Sequence, residues 1–136
     1  MTQFTEIGLI PPLLRVLAEE NYTTPTPVQS QSIPPLLTGR DLLGVAQTGT
    51  GKTAAFALPI LQRLHTHGRP TPRRSCRTLV LSPTRELASQ IRESFKTYGR
   101  YLPFTSTSIF GGVPIGRQIR DIGKGFDHCC HSGSPT

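Results

Sequence analysis

Residues 46 to 53 read Ala-Gln-Thr-Gly-Thr-Gly-Lys-Thr, and no other stretch constrains the fold of this chain so tightly. Glycine reaches backbone angles closed to other residues, so Gly49 and Gly51 let successive N–H groups turn inward around a small anion. The flanks supply the setting such a loop requires. Leu42 to Ala46 is a short apolar run, expected to form a buried parallel strand, and a helix is predicted to begin near Lys52 with Phe56, Ile60, Leu61 and Leu64 on one face. Strand, glycine loop and helix in that order cradle the phosphates of a nucleoside triphosphate. Ala46, Gln47, Thr48, Gly49, Thr50 and Gly51 form the wall, and the helix adds its positive N-terminal end. Lys52 then reaches the β- and γ-phosphates, and the Thr53 hydroxyl is the candidate ligand of the bridging magnesium ion. Ala46 stands where the strict pattern begins with glycine; a small residue still fits there.

The rest of the chain repeats the strand-then-helix order. Ahead of the loop, Pro11 and Pro12 suit a helix start, and Leu13, Leu14, Leu17 and Ala18 give an apolar face over about 11–20. A second helix is signalled by Thr26 before Pro27 with Gln29 three places on, a capping box, and by Gly39 as a stop. Pro59 is expected to kink the helix that follows the loop. Thr78 to Leu81 is a second predicted strand, Leu87, Ile91, Phe95 and Tyr98 are the stripe of the next helix, and Thr105 to Phe110 is a third strand. Gly111-Gly112 breaks that strand, and Ile115, Ile119 and Ile122 outline a last helix. Two helices followed by three strand–helix units imply an α/β fold, a parallel sheet with flanking helices and right-handed crossovers. The chain divides into a helical segment over 1–38, a nucleotide-binding part over 39–127, and a tail over 128–136.

Composition narrows the partners. Fifteen Lys and Arg against eight Asp and Glu leave a formal charge of +7, which favours a polyanion such as nucleic acid. Arg69, Arg73 and Arg74 lie in a Pro- and Gly-containing loop that reads as a solvated connection. Cys76, Cys129 and Cys130 have no disulfide or Cys-x-x-Cys spacing, and the four histidines make no helical ligand pair with carboxylates, so no zinc site is assigned. The first residues lack a basic and apolar leader and no 18-residue apolar stretch occurs, which gives the expectation of an unanchored, cytoplasmic protein with no membrane partner.

Two further motifs flank the loop. Asn-Tyr-Thr-Thr-Pro-Thr-Pro-Val-Gln29 precedes it, and Pro-Thr-Arg-Glu-Leu-Ala-Ser-Gln90 follows. With these, residues 4 to about 127 closely resemble a bacterial DEAD-box RNA helicase. The resemblance implies a RecA-like P-loop NTPase fold, here as an incomplete first helicase domain, with ATP and Mg2+ as cofactors and ATP-dependent RNA unwinding as the activity. Phe4, Tyr22 and Gln29 stand where that family recognises adenine, an aromatic stacking on the base while the Gln amide pairs with its edge. An amide offers a donor and an acceptor side by side, which suits adenine N6 and N7. From the residues alone, Gln29 equally completes the capping box with Thr26, and Tyr22 equally serves as a core aromatic. Thr84, Arg85, Gly111 and Gly112 correspond to family positions that grip RNA phosphate and sugar with little sequence preference. A P-loop kinase or GTPase fits neither Gln29 nor Pro-Thr-Arg-Glu.

The chain then departs from the family. The family also has a Thr-Pro-Gly-Arg motif, an Asp-Glu-Ala-Asp motif that binds magnesium and positions water, and a second domain with arginine fingers; no Asp-Glu pair occurs in these 136 residues. The alternative function is therefore ATP or RNA binding without hydrolysis. Codons for His-Cys-Cys-His-Ser-Gly-Ser-Pro, read one base later, permit Ile-Val-Ala-Thr-Pro-Gly-Arg, so the tail is expected to be the product of a frameshift.

Overall fold

The structure is a computed structural model that describes residues 1–132, with backbone alone for 128–131. After a single 3-10 turn at Phe4–Glu6, the elements run α1 (Pro11–Glu19), α2 (Pro27–Leu37), α3 (Lys52–Thr66), β1 (Cys76–Ser82), α4 (Arg85–Tyr98), β2 (Ser106–Phe110), α5 (Ile115–Ile122) and β3 (Phe126–Ser132). The three strands form one parallel sheet in the order β1-β3-β2. Because β3 enters between its two predecessors, both connections cross over through a helix, as parallel pairing requires.

Local chemistry explains the helix ends. Thr26 caps α2, its hydroxyl accepting from Gln29 N–H at 3.4 Å while Gln29 Oε1 accepts from Thr26 N–H at 3.0 Å, so the capping box forms as its spacing predicts. Gly39, at φ +82°, lies just past the end of α2. α3 starts at Lys52 and continues through Pro59 to Thr66 as one helix. The core is mainly helical: Leu13 and Leu17 of α1, Ile33 of α2, Leu58 and Leu61 of α3, and Phe95 of α4 are all essentially inaccessible. At about 25 cal/mol per Å2 each such side chain stabilises the fold by roughly 1.5–3 kcal/mol.

Three expectations are corrected. Leu42–Ala46 is not a strand: among the described residues no ladder partner reaches it, and Leu43 and Val45 are 93% and 92% exposed. An apolar run becomes a strand only when neighbouring chain satisfies its backbone groups, and β1 pairs with β3 alone. Residues 126–132, not anticipated as regular structure, supply the central strand instead, so the 128–136 tail begins inside the sheet; residues 133–136 lie outside the described residues. The buried face of α4 is Ala88, Ile91 and Phe95, with Leu87 and Tyr98 at its margin.

Candidate nucleotide site

The glycine loop is pinned to the start of α2 by two hydrogen bonds, and a third, within the capping box, holds the Gln29 amide in place. Thr26 Oγ1 donates to Thr50 O at 2.8 Å, Gln29 Nε2 donates to Gly51 O at 3.2 Å, and Gln29 Oε1 holds the Thr26 N–H. The capping box thus doubles as the loop's support, and Gln29 is only 7% exposed. Gly51, the N-cap of α3, sits at φ +85°, and a Cβ there would collide with Gln29 Nε2, so both the turn and the close approach require glycine. Gly49 is at φ +81° with open space around it.

One cavity of about 590 Å3 gathers Tyr22, Gln29, Thr48, Gly49, Gly51, Lys52 and Thr53. Ala46, Gln47 and Thr50 do not line it. Ala46 O accepts the Lys52 ammonium at 2.5 Å, and Thr50 Oγ1 donates to Gln47 O at 2.7 Å, so these three shape the loop from behind. Lys52 makes no ion pair among the described residues. Tyr22 is half exposed and stands at the cavity rather than in the core.

Phe4, though buried, reaches the cavity beside Tyr22 and Gln29. Residue-by-residue reading missed the contribution of α4, which adds Leu87, Gln90 and Tyr98 to the lining. Those three are spaced 3 and 8 apart, so they share one helical face, a pattern the sequence offers only once the neighbouring buried face is placed. Burial, then the nearby Tyr22 and Glu20, push the Tyr98 phenol above its ordinary pKa.

The second pair of motifs also converges. Thr84 caps α4, accepting from Leu87 N–H at 3.2 Å, and Arg85 Nη2 donates to Gly111 O at 2.5 Å. Gly112 is at φ +71°, and a Cβ there would lie 2.5 Å from Arg85 Nη2. These four residues meet just beyond the carboxyl ends of β1 and β2, where open parallel sheets place ligands.

Residues 26–132 match the DEAD/DEAH box helicase family. The chain belongs to that family. Among similar proteins are the ATP-dependent rRNA helicase RRP3 of Saccharomyces cerevisiae (strain YJM789), 49% identical over 119 residues, and its namesake in Lodderomyces elongisporus, 48% identical over 119; each alignment covers 88% of this chain and 23% of the relative. The Eremothecium gossypii protein of the same name is 46% identical over 121 residues, covering 89% of this chain and 24% of its own length. The chain therefore spans under a quarter of these relatives. As a DEAD/DEAH box family member it has the P-loop helicase fold, and its glycine loop lies within the matched region. No helix among the described residues is long and apolar enough to cross a membrane.

Proposed function

We propose that this chain is the ATP-binding and part of the RNA-binding surface of an ATP-dependent RNA helicase, in a reducing, cytosol-like compartment. The observation that carries the reading is the single cavity in which Gln29 and the glycine loop meet. The residues fit a nucleoside triphosphate. Open space beside Gly49 and a Lys52 without an ion pair among the described residues suit the phosphates, and Gln29 retains a second N–H and a second lone pair for an adenine edge. Tyr22 and Phe4 offer aromatic surface to the base. Thr53 lines the same cavity with its hydroxyl uncommitted among the described residues, which suits it to hold Mg2+. When bound, that ion supplies neutralisation of charge on the phosphates. Thr84, Arg85, Gly111 and Gly112 present a guanidinium and open backbone to an RNA strand, a set suited to phosphate and sugar rather than base edges.

Hydrolysis and unwinding are assigned to the longer family member, because no adjacent Asp-Glu pair occurs in this chain. That absence favours the second reading, binding without turnover, for these 136 residues. Phosphate release from MgATP by the purified chain should equal that of its Lys52→Ala variant; release above that control would assign hydrolysis to this segment.

We also infer a shifted reading frame from residue 128. β3 is paired on both sides, where parallel sheets take a near-continuous apolar run, yet the sequence there reads His128-Cys129-Cys130-His131. The codons displaced by one base permit an Ile-Val-Ala run leading into Thr-Pro-Gly-Arg. Resequencing the locus is expected to restore that run; an intact frame with no helicase coding beyond it would contradict the inference.

A further inference from the structure

Five side chains join parts of the chain about 80 residues apart. Arg100 Nη2 lies 2.6 Å from Glu20 Oε1 and 3.6 Å from Glu19 Oε2. Tyr101 OH donates to Glu19 Oε1 and Oε2 at 2.7 and 2.8 Å, and Arg15 Nε bonds Glu19 Oε1 at 3.1 Å. The Arg15 guanidinium also stands 4.1 Å over the Tyr101 ring, with that of Arg100 at 5.8 Å. An isolated surface ion pair has little effect on stability, but here one carboxylate is shared by a phenol and two guanidiniums, which fixes direction as well as distance. The Tyr101 hydrogen bond, helped by that of Arg15 and by the charges of Arg100 and Arg15, outweighs desolvation and lowers the Glu19 pKa.

The position of this cluster gives it a consequence for the site. Glu20 closes α1, Asn21 follows at φ +60°, and Tyr22 comes next, its N–H bonded to Leu17 O at 2.8 Å. On the other strand of the connection, Tyr98 ends α4 two residues before Arg100. Tyr22 and Tyr98 both line the nucleotide cavity, and each is two residues from a member of the cluster. Gly99, between Tyr98 and Arg100, has no room for a side chain: a Cβ would press on Phe104 and lie 2.9 Å from Phe95 O, so the path from Tyr98 to Arg100 is fixed.

We propose that Glu19, Glu20, Arg100 and Tyr101 are positioning residues that hold the nucleoside-facing wall of the cavity, Tyr22 and Tyr98, at its working separation. The proposal rests on the ATP reading above. It predicts a loss confined to the nucleoside part of the ligand. Arg100→Glu should weaken MgATP binding about three- to ten-fold, while tripolyphosphate, which needs only the glycine loop, changes less than about two-fold. The exchange Glu20→Arg with Arg100→Glu should restore ATP affinity, and Tyr101→Phe, which keeps the ring and removes the hydrogen bond, should reproduce part of the loss. Affinities are read by competition against a fluorescent ATP analogue, with thermal melting to show that each variant folds. Unchanged ATP affinity in Arg100→Glu, an equal loss for tripolyphosphate, or no recovery in the exchange would overturn the proposal with the ATP reading intact. ATP affinity unaffected by Lys52→Ala would overturn both.

Discussion

At Gln29 one carboxamide closes the α2 capping box, bonds the glycine loop at Gly51 O, and keeps hydrogen-bonding capacity toward the cavity. Gln29→Glu separates these roles, because a carboxylate still accepts from Thr26 N–H but cannot donate to Gly51 O or to a base. The variant should keep the helix, lose preference for ATP over GTP, and weaken both nucleotides; competition between the two reads the ratio, and a retained preference would leave Gln29 a structural residue only. Lys52→Ala should lower ATP affinity ten-fold or more, since a charge-assisted phosphate contact contributes about 1.5–3 kcal/mol. At the amino end of the central strand β3, Asp127 accepts from the Thr71 hydroxyl at 2.6 Å and Thr105 N–H at 3.0 Å and lies 3.5 Å from Arg77. Burial raises its pKa, but the bonds from Thr71 and Thr105 and the Arg77 charge outweigh it, and the net shift is downward. A carboxyl lowered on folding stabilises above its unfolded pKa near 3.9, and that contribution disappears as pH falls through the folded value. Asp127→Asn should therefore cost about 1–3 kcal/mol at pH 7 and much less near pH 3, a difference that denaturant titration at the two pH values measures.

The elements show where local pattern sufficed. α4 carries the proposed RNA-contact pair Thr84-Arg85 at its start, cavity residues in the middle and Tyr98 at its end, so on that proposal Arg85→Ala should weaken every RNA alike and reduce the salt slope by about one contact, without changing ATP affinity. A loss confined to particular sequences in filter binding would contradict a backbone contact. α2 and the start of α3 were legible because Thr26, Gln29, Gly51 and Lys52 state their geometry within a few residues. The motifs at Thr84-Arg85 and Gly111-Gly112 were legible one by one, but their meeting depends on the order of β1 and β2, which no local signal carries. Leu42–Ala46 misled for the converse reason: its five residues have the composition of a strand, and whether they become one is decided by a neighbour. β3 escaped notice because His128-Cys129-Cys130-His131 lacks the apolar run that marks a central parallel strand.

Across the whole molecule, the helical core is well closed and the sheet is not. Leu43 and Val45 are exposed, and Leu79 and Leu81 of β1 are 57% and 70% exposed along an edge with no partner among the described residues. Unpaired edges with apolar side chains recruit other chains, so the protein should aggregate at moderate concentration. Hydrogen exchange should show amides 42–46 unprotected while those around Leu58 and Phe95 are protected; protection of 42–46 in a soluble monomer would contradict this. The proposed nucleotide site is built instead from α2, α3, α4 and the glycine loop. Photo-crosslinking with radiolabelled 8-azido-ATP, which works at low protein concentration, tests that claim most directly. Label should map to the peptides holding Phe4 or Tyr22–Gln29, fall with excess ATP much more than with GTP, and vanish in Lys52→Ala; label elsewhere in the chain, or equal competition by GTP, would contradict an adenine site formed by Gln29 and the glycine loop.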